Sequence, residues 1–404
     1  ETGEKIAAWL GVKTSNTTIQ SPEEAKIISL RDCFREINNR KFLALLFISS
    51  CILLARTTNL NKAADFAPKA GSKALPPSNH VRLLRFFATG VGEAIHRGVL
   101  RAVLRLALRS GKGLCLVMDR TDWKHGAGWR NLLVVGLCFE GYLVPLVWTD
   151  LSQRGNSSPQ MRLALLEKLA AWWPHDELPL KSFPLVADRE FGGEGWLLKL
   201  AKLGFHFVVR IKSNRQLSVW LDGTMRHKAA TLRALRRYLA RRGQNSTEVV
   251  IAGEYICHLV CLPNTGTRDP DPYFYLLTNL DLPSQAGGMY QRRYFIECCF
   301  KHLKSNGFDL EKQGFDLPHQ VEIITALLVL LYTVCVVCGV IQQQAVIQAG
   351  KKPKMKEYKD GSVYLARSLF RQGLTRATAL VGLPVCLLNF VNELLNWFSI
   401  IYDG

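Results

Sequence analysis

Two aspartates each come directly after a short apolar run of the sequence. Asp119 follows residues 114–118 (LCLVM), and Asp188 follows residues 183–187 (FPLVA). A carboxylate at the carboxyl end of a buried strand is a recurrent catalytic position, because the sheet fixes the backbone while the side chain meets solvent. Two such carboxylates on neighbouring strands repel each other unless a hard cation bridges them, and oxygen ligands suit Mg²⁺ or Mn²⁺. The pair therefore indicates a divalent-metal site, although each aspartate alone could also be a helix N-cap.

A third acid lies in a basic segment, residues 290–304 (YQRRYFIECCFKHLK). On a helix, spacings of three and four residues place one set of side chains on a single face. That set is Tyr290, Arg293, Glu297, Lys301 and Lys304. Glu297 is interpreted as a third metal ligand, with the cations holding phosphates beside the reacting bond. The alternative is a salt-bridged surface helix in which Arg293 and Lys301 offset Glu297.

This segment also carries a resemblance to a known family. Its order is Tyr290, two residues, Arg293, three residues, Glu297, six residues and Lys304. The spacing resembles the tyrosine–arginine–glutamate–lysine signature of the cut-and-paste DDE transposases of bacterial insertion sequences. Residues 117–123 (VMDRTDW) and 186–193 (VADREFGG) resemble the first and second aspartate motifs of that family. The resemblance covers roughly residues 112–345 and is only loose in the N-terminal third.

The resemblance implies a reaction and its partners. Asp119, Asp188 and Glu297 would hold two Mg²⁺ or Mn²⁺ ions per active site, one activating water or a 3′-hydroxyl and the other stabilising the leaving oxygen. One site would then cleave transposon ends and join them to target DNA, because only the nucleophile changes. The implied partners are double-stranded DNA, as transposon ends and as target, and a second copy of the chain in a synaptic homodimer.

Seven side chains are candidates for contact with DNA. Four of them lie in the signature segment, namely Tyr290, Arg293, Lys301 and Lys304. Arg210 and Lys212 end the run FVVRIK and match basic positions in relatives, although Arg210 could instead pair with a carboxylate of the site. Trp220 could stack on a base extruded from the duplex, and its alternative is an ordinary core position.

The elements that must position these residues follow from hydrophobic pattern and turn signals. Strands are predicted over residues 114–118, 131–139, 142–148, 183–187 and 206–211, with helices over 158–173 and 195–203. Three hairpin-linked strands, a helix, a strand, a helix and a strand are the order of a ribonuclease-H-like core, an α/β fold with a mixed sheet flanked by helices. Further along, we predict a helix over 231–242, strands over 249–252, 255–262 and 273–278, and a long helix from about 288.

Five regions are predicted from these changes of pattern. Residues 1–110 form an N-terminal helical domain that could bind DNA ends, and residues 31–56 are one of its helices. The catalytic core comprises 111–212 and 287–345 and is interrupted by a β-rich insertion, 213–286. Residues 346–404 form a helical C-terminal region with a possible role in dimerisation.

The charge of the chain favours a polyanionic partner. Lys and Arg number 52 against 33 Asp and Glu, a net charge of +19. Nucleic acid fits this excess best, and an anionic membrane surface comes second. Arginines recur every four residues at 97, 101, 105 and 109, which places a basic stripe on one face of a helix. The stripe is either a solvated face or a face that follows phosphates.

Cysteine usage and hydropathy bear on the compartment. The eleven cysteines are irregularly spaced, and most lie in apolar runs, as in a reducing compartment. The chain starts without the basic and apolar stretches of a secretory signal. Residues 323–341 are apolar and long enough to span a bilayer, but a buried core helix is the interpretation we adopt. We therefore expect a bacterial cytoplasmic, nucleoid-associated protein without a membrane partner.

Three other classes of protein remain as alternatives. A ribonuclease-H-like nuclease or resolvase would share the acidic site, and the insertion with the lysine-bearing signature argues against it. A domesticated, transposase-derived DNA-binding protein would keep the basic surfaces but usually lose an acid, whereas all three are present. A basic membrane-associated protein rests on residues 323–341 alone.

Overall fold

The computed structural model of this protein describes residues 29–107, 115–139, 141–151, 154–173, 179–221, 224–264, 271–357, 363–380 and 384–402. The chain forms two compact units. One comprises Glu1–Ser110 and Cys299–Gly404, and the other comprises Gly111–Cys298. We refer to them as the helical unit and the sheet unit. The predicted division into five regions is a finer one and stays a prediction.

The helices and strands of the described residues are numbered here in chain order. They are α1 Leu30–Cys33, α2 Asn39–Ala55, α3 Leu60–Asp65, α4 Pro76–Phe87, α5 Gly92–Ala107, β1 Cys115–His125, β2 Gly128–Phe139, β3 Tyr142–Asp150, α6 Pro159–Trp172, β4 Leu185–Ala187, α7 Glu194–Lys202, β5 Phe207–Arg210, β6 Gln216–Leu221, β7 Thr224–Thr231, α8 Leu232–Arg241, β8 Ser246–Ile251, β9 Tyr255–Pro263, β10 Tyr273–Thr278, α9 Ala286–Gln291, α10 Tyr294–Lys304, α11 Pro318–Gln348, β11 Met355–Glu357, β12 Val363–Leu365, α12 Leu369–Leu380 and α13 Pro384–Tyr402.

The sheet unit is built on one ten-stranded mixed sheet with the order β3-β2-β1-β4-β5-β10-β9-β8-β6-β7. The pairs β1–β4 and β4–β5 are parallel. The other neighbours are antiparallel. The predicted α/β class with a mixed sheet is therefore confirmed. The strands of residues 213–286 continue this same sheet, because β10 pairs with β5.

Local sequence accounts for the helix that follows the first three strands. Ser158 has an extended backbone and its hydroxyl accepts a hydrogen bond from the backbone N–H of Met161, 3.2 Å away. Pro159 occupies the first helical position, where its missing N–H and fixed φ suit the helix. Leu165, Leu166 and Leu169 are buried. The predicted helix over 158–173 is observed as α6 with Ser158 as its cap.

The core of the helical unit is the long apolar helix α11. Its 31 residues include the segment that resembles a membrane span, and the most apolar window is buried throughout inside the protein. Close approach of α12 requires small residues: a Cβ added at Gly373 would lie 1.6 Å from the carbonyl oxygen of Cys335, and one at Gly339 would lie 2.1 Å from that of Leu369. This is the packing of a core helix. Among the described residues it is the one helix long and apolar enough to cross a membrane.

Several predicted bounds are wrong. The helix predicted over 31–56 is two helices, because α1 ends at Cys33 and a new start at Asn38 caps α2 by accepting a hydrogen bond from the N–H of Lys41. The long helix predicted from 288 is interrupted between α9 and α10. The strands β6 and β7 were not predicted, and β7 (TMRHKAAT) has no run of alternating apolar residues to reveal it.

Candidate active site

The two aspartates lie where β1 and β4 stop pairing. Residues 116–118 of β1 pair in parallel with residues 185–187 of β4, and the next residues on the two strands are Asp119 and Asp188. On its other side Asp119 still pairs with Val134 of β2. It therefore lies inside strand β1, which runs to His125, and the prediction that it follows the end of the strand is wrong. The reason is that the hairpin partner continues after the parallel partner has ended. Both carboxylates therefore start from neighbouring strands about 4.8 Å apart.

Arg293 and Tyr290 connect the three predicted acids. The Arg293 Nη1 atom donates to Asp119 Oδ2 at 3.0 Å, and Nη2 forms a close ion pair with Glu297. The Tyr290 hydroxyl donates to Asp188 Oδ1 at 2.9 Å. Thus the structure brings together five of the residues that the sequence singled out, all of them in the sheet unit.

A break in the helix places these side chains. The N–H groups of Arg292 and Arg293 donate to the carbonyls of Met289 and Tyr290, at 3.2 and 3.0 Å. These bonds span three residues, as in a tight 3₁₀ turn between α9 and α10. Tyr290 is on the first helix, Arg293 is in the turn, and Glu297 is in the first turn of the second helix. The single continuous helical face predicted from the spacing is therefore wrong.

Burial and mutual repulsion govern the electrostatics of the cluster. The side chain of Asp119 is 17% exposed. Burial raises the pKa of Asp119 to about 6, aided by repulsion from Asp188 and Glu297 and opposed by Arg293 and the backbone N–H of Arg120. Burial alone would lower the Arg293 pKa, but the surrounding acidic groups raise it above its usual range. Burial and the nearby Asp188 carboxylate raise the pKa of Tyr290.

The donor set of the cluster fits a hard divalent cation in its chemistry. Three carboxylates supply oxygen ligands only, which is the preference of Mg²⁺ and Mn²⁺. Within the described part of the chain, no three His, Cys, Asp or Glu side chains stand together in an arrangement that could hold a metal. Instead the guanidinium of Arg293 bonds to Asp119 and Glu297 together. The protein thus supplies a cation of its own at the point where the negative charges converge.

A second network beside the cluster was missed by sequence reasoning. Arg120 Nε donates to Glu190 Oε2 at 2.7 Å. The other carboxylate oxygen, Oε1, accepts from the backbone N–H of Ser157 at 3.1 Å. The buried Arg162 donates to the Ser157 hydroxyl at 2.8 Å and to its carbonyl at 2.6 Å. Because Arg120 follows Asp119 and Glu190 is two residues after Asp188, this network ties the two aspartate-bearing segments together. The sequence could have indicated it, because Arg120 lies in the first aspartate motif and Glu190 lies in the second.

The predicted DNA contacts outside the cluster have different positions. Arg210, at the end of β5, is buried with its guanidinium 4.6 Å from the ring centroid of Phe274, and that ring is 5.8 Å from the ring of Tyr290. Lys212 is exposed two residues later. Trp220 belongs to β6, but its side chain lies outside the described residues.

The two lysines of the signature segment belong to the helical unit, because the division between the units falls within α10. Lys301 is exposed. Lys304 pairs with Glu311 at 2.9 Å. Of the five candidate residues in that segment, Tyr290, Arg293 and Glu297 belong to the sheet unit.

The arginine stripe of α5 is occupied inside the helical unit. Arg97 bonds to Glu36 at 2.8 Å and to Glu93 at 2.7 Å, and Arg101 forms a close ion pair with Glu36. Arg105 donates to the thiol of Cys33 at 3.3 Å. Arg109 lies outside the described residues. The described arginines of this stripe thus connect α5 to the first helix and the turn after it.

Comparison with known proteins shows a family and similarity to solved structures. The family described as the transposase DDE domain matches residues 110–334. Endonuclease V from Bacillus subtilis is 13% identical, with 57% of this chain and 87% of that chain covered, but the TM-score is 0.22. At that score the similarity supports no argument. No curated protein sequence matches the chain.

Proposed function

The chain belongs to the family of transposase DDE domains, and from that membership we propose a DNA transposase that cuts transposon ends and joins them to target DNA by cut-and-paste transposition. The observation that carries the proposal is the convergence of Asp119, Asp188 and Glu297 on Arg293 and Tyr290. Three acids far apart in the sequence are thus bonded to two neighbouring side chains of one segment, beside the point where β1 and β4 stop pairing. A ribonuclease-H-like catalytic core is part of the same proposal.

The acids would hold two Mg²⁺ or Mn²⁺ ions, which when bound supply Lewis-acid activation of the nucleophile and of the leaving oxygen. Tyr290 would orient Asp188 through the hydroxyl bond that it donates. Arg293 would leave Asp119 when the carboxylates take a metal, and its guanidinium would then be available to a DNA phosphate. Lys212 and Arg210 would bind the transposon end, with Lys301, Lys304 and Trp220 as further contacts.

The remaining parts of the proposal concern assembly and location. Pairing of two DNA ends by a homodimer fits a reaction that must act on both ends of one element. A nucleoid-associated position in the bacterial cytoplasm fits the net charge of +19. The N-terminal helices would recognise the end sequence, and the C-terminal helices would contribute to dimerisation.

Replacement of the aspartates tests the site. We expect Asp119→Asn and Asp188→Asn each to reduce cleavage of DNA carrying the element's own ends by at least about a thousandfold, because each change removes a metal ligand. Binding of the uncut ends should stay within about threefold in a gel-shift titration, since neither side chain holds the duplex. Joining of pre-cut ends to target DNA should be lost in parallel.

Asp122→Asn is the matched control. Asp122 is on the same strand, is more exposed and pairs with Arg120 at 3.6 Å, so it should retain cleavage. A second measurement, the melting temperature with and without Mn²⁺, should show metal stabilisation in the wild type and the control but not in the two site variants. If Asp119→Asn or Asp188→Asn cleaves DNA at the wild-type rate, the assignment of that residue is refuted. If the wild-type protein cleaves DNA ends but does not join them to target DNA, it is a nuclease and not a transposase.

A further inference from the structure

A strongly basic stretch of the sheet unit runs from residue 223 to residue 247. It lies between Asp222 and Glu248 and contains six Arg and one Lys and neither Asp nor Glu. This segment includes β7 and the whole of α8, Leu232–Arg241. Excess positive charge of this kind on one element favours a polyanion, provided that the cations are not neutralised within the protein.

The arginines of α8 form an exposed stripe. Arg233, Arg237 and Arg241 are four residues apart, which places them on one face, and all three are exposed. None of the three has a hydrogen bond or ion pair to an acidic side chain among the described residues. We call these three residues the α8 stripe. Its charges are available to an external partner.

The rest of the helix holds that face outward. Leu232, Leu235 and Leu239 are buried on the opposite side, and the Thr231 hydroxyl caps the helix by accepting from the N–H of Ala234. Arg236 is fixed from the side, because its guanidinium lies 3.7 Å from the ring centroid of Tyr273 in β10. The stripe is therefore presented by a packed helix and not by a loop.

The stripe also has an energetic cost in the free protein. Like charges four residues apart destabilise a helix by about 0.2–0.5 kcal/mol per pair. Among the described residues no acid offsets this repulsion, and a bound polyanion would relieve it.

We propose that the α8 stripe binds the phosphate backbone of double-stranded DNA at a distance from the cleavage site, an inference that rests on the proposed function. Two helical steps of four residues separate Arg233 from Arg241 by about 12 Å, a length over which each strand of a duplex carries about three or four phosphates. Along the sheet, four strand steps separate β4 from β8 and six separate it from β7, or about 20–30 Å. The contact is with the backbone and carries no base recognition, since arginine–phosphate bonds position DNA without reading sequence.

The experiment is a salt titration of DNA binding by the full chain. Fluorescence anisotropy measures the affinity for a labelled 30-base-pair duplex of arbitrary sequence across a range of NaCl concentrations. For the variant Arg233→Gln, Arg237→Gln, Arg241→Gln, we expect the slope of log affinity against log salt to become shallower by about two to three, because about 0.9 counterions are released per phosphate contact. The affinity at low salt should fall by at least about tenfold.

Two further variants distinguish loss of the α8 stripe from a loss of total charge and from a folding defect. Lys351→Gln, Lys352→Gln, Lys354→Gln removes the same charge from three exposed positions of the helical unit and should keep the wild-type slope. The triple Arg-to-Lys variant of the stripe keeps the charge and should also keep the slope. Equal slopes for the two Gln variants would overturn the proposal.

Other outcomes are equally decisive. A stripe variant that binds the duplex normally but no longer binds vesicles containing phosphatidylserine would overturn the DNA assignment in favour of a membrane surface. If the wild type cleaves its ends but the stripe variant keeps the full salt slope, this inference fails and the proposed function stands. If the wild type neither binds nor cleaves DNA, the proposed function itself fails.

Discussion

Two helices of this protein carry arginines at the same four-residue spacing, yet their surroundings differ. On α5, Arg97 and Arg101 bond to Glu36, and Arg105 contacts Cys33. On α8, the three arginines of the stripe have no acidic partner among the described residues. The α5 arginines serve the packing of the helical unit, whereas those of α8 are the ones that we propose to contact DNA.

The comparison shows why spacing alone cannot assign a basic stripe. Glu36 is 61 residues before Arg97 in the sequence, so nothing local reveals the pairing. Burial would raise the pKa of Glu36, but Arg101 and Arg97 outweigh it and lower that pKa. An arginine stripe is therefore a binding surface only if the fold brings no acid to it.

The largest effect is expected where an arginine holds two carboxylates in the active site. Arg293→Gln leaves Asp119 and Glu297 without their cation, which should lower the free energy of unfolding by about 3 kcal/mol in metal-free buffer. Urea unfolding measures this, with EDTA present. Saturating Mn²⁺ should recover part of the loss, because the metal then neutralises the acids. Unchanged stability would mean that Arg293 is only a surface charge.

Cations also act on a histidine of the helical unit. His302 packs 4.5 Å from the ring of Phe370, and burial, with Arg371 and Lys301, lowers its pKa from 6.5 to about 4. As the pH falls, the unfolded chain takes up the proton first, so stability present above about pH 6.5 is lost between there and about pH 4. The loss should reach about 1–3 kcal/mol.

The pH effect is measured as the free energy of unfolding at pH 7 and pH 5. His302→Gln should flatten the difference between these two values. Arg371→Gln is the matched comparison: it removes one repelling charge and so should raise the pKa of His302 in the folded protein, which makes the difference between pH 7 and pH 5 smaller without abolishing it. An identical pH profile for wild type and His302→Gln would show that the histidine does not resist protonation.

A smaller loss of stability is expected when an arginine of the α5 stripe is replaced. Arg101→Gln removes an ion pair with Glu36 and a hydrogen bond to the Cys33 carbonyl at 3.1 Å. Both side chains are partly exposed, so the loss in the free energy of unfolding should be about 1 kcal/mol. The salt dependence of DNA binding should not change. A shallower slope would place phosphates on α5 and weaken the comparison.

The smallest effect on folding is expected from the α8 stripe. Arg237→Gln should change the free energy of unfolding by no more than about 0.5 kcal/mol, and toward greater stability, because repulsion within the helix is relieved. The salt slope of duplex binding should fall by about one. A loss of stability equal to that of Arg101→Gln would show a partner inside the protein.

Elements with a local cause were predicted well from the sequence. The strand over 273–278 has the observed bounds, and the helices after Ser158 and Thr231 begin at those caps. Cap hydrogen bonds reach only two or three residues along the chain, so the sequence alone determines them. The strand β7 was missed because its residues are mostly polar and it depends on pairing with β6.

The geometry around the predicted site residues could not be derived from the sequence. Asp119 lies inside a strand because β2 continues beside it, and the turn at Arg292 interrupts a helix whose spacing indicates continuity. Both features depend on which neighbour each strand or helix meets. The network of Glu190 with Arg120 likewise depends on a contact between residues that are 70 positions apart in the sequence.

Glu297 is the acid whose catalytic role most needs a test, since its side chain is 48% exposed and bonded to Arg293 like an ordinary surface ion pair. The measurement is strand cleavage of linear DNA bearing the element's own ends, with Mg²⁺ or with EDTA, by wild type and by Glu297→Gln. We predict metal-dependent cutting at the element boundary by the wild type and none by the variant, which should still fold and bind the ends. Cutting by Glu297→Gln at the wild-type rate would show that Glu297 is not a metal ligand but part of a surface salt bridge.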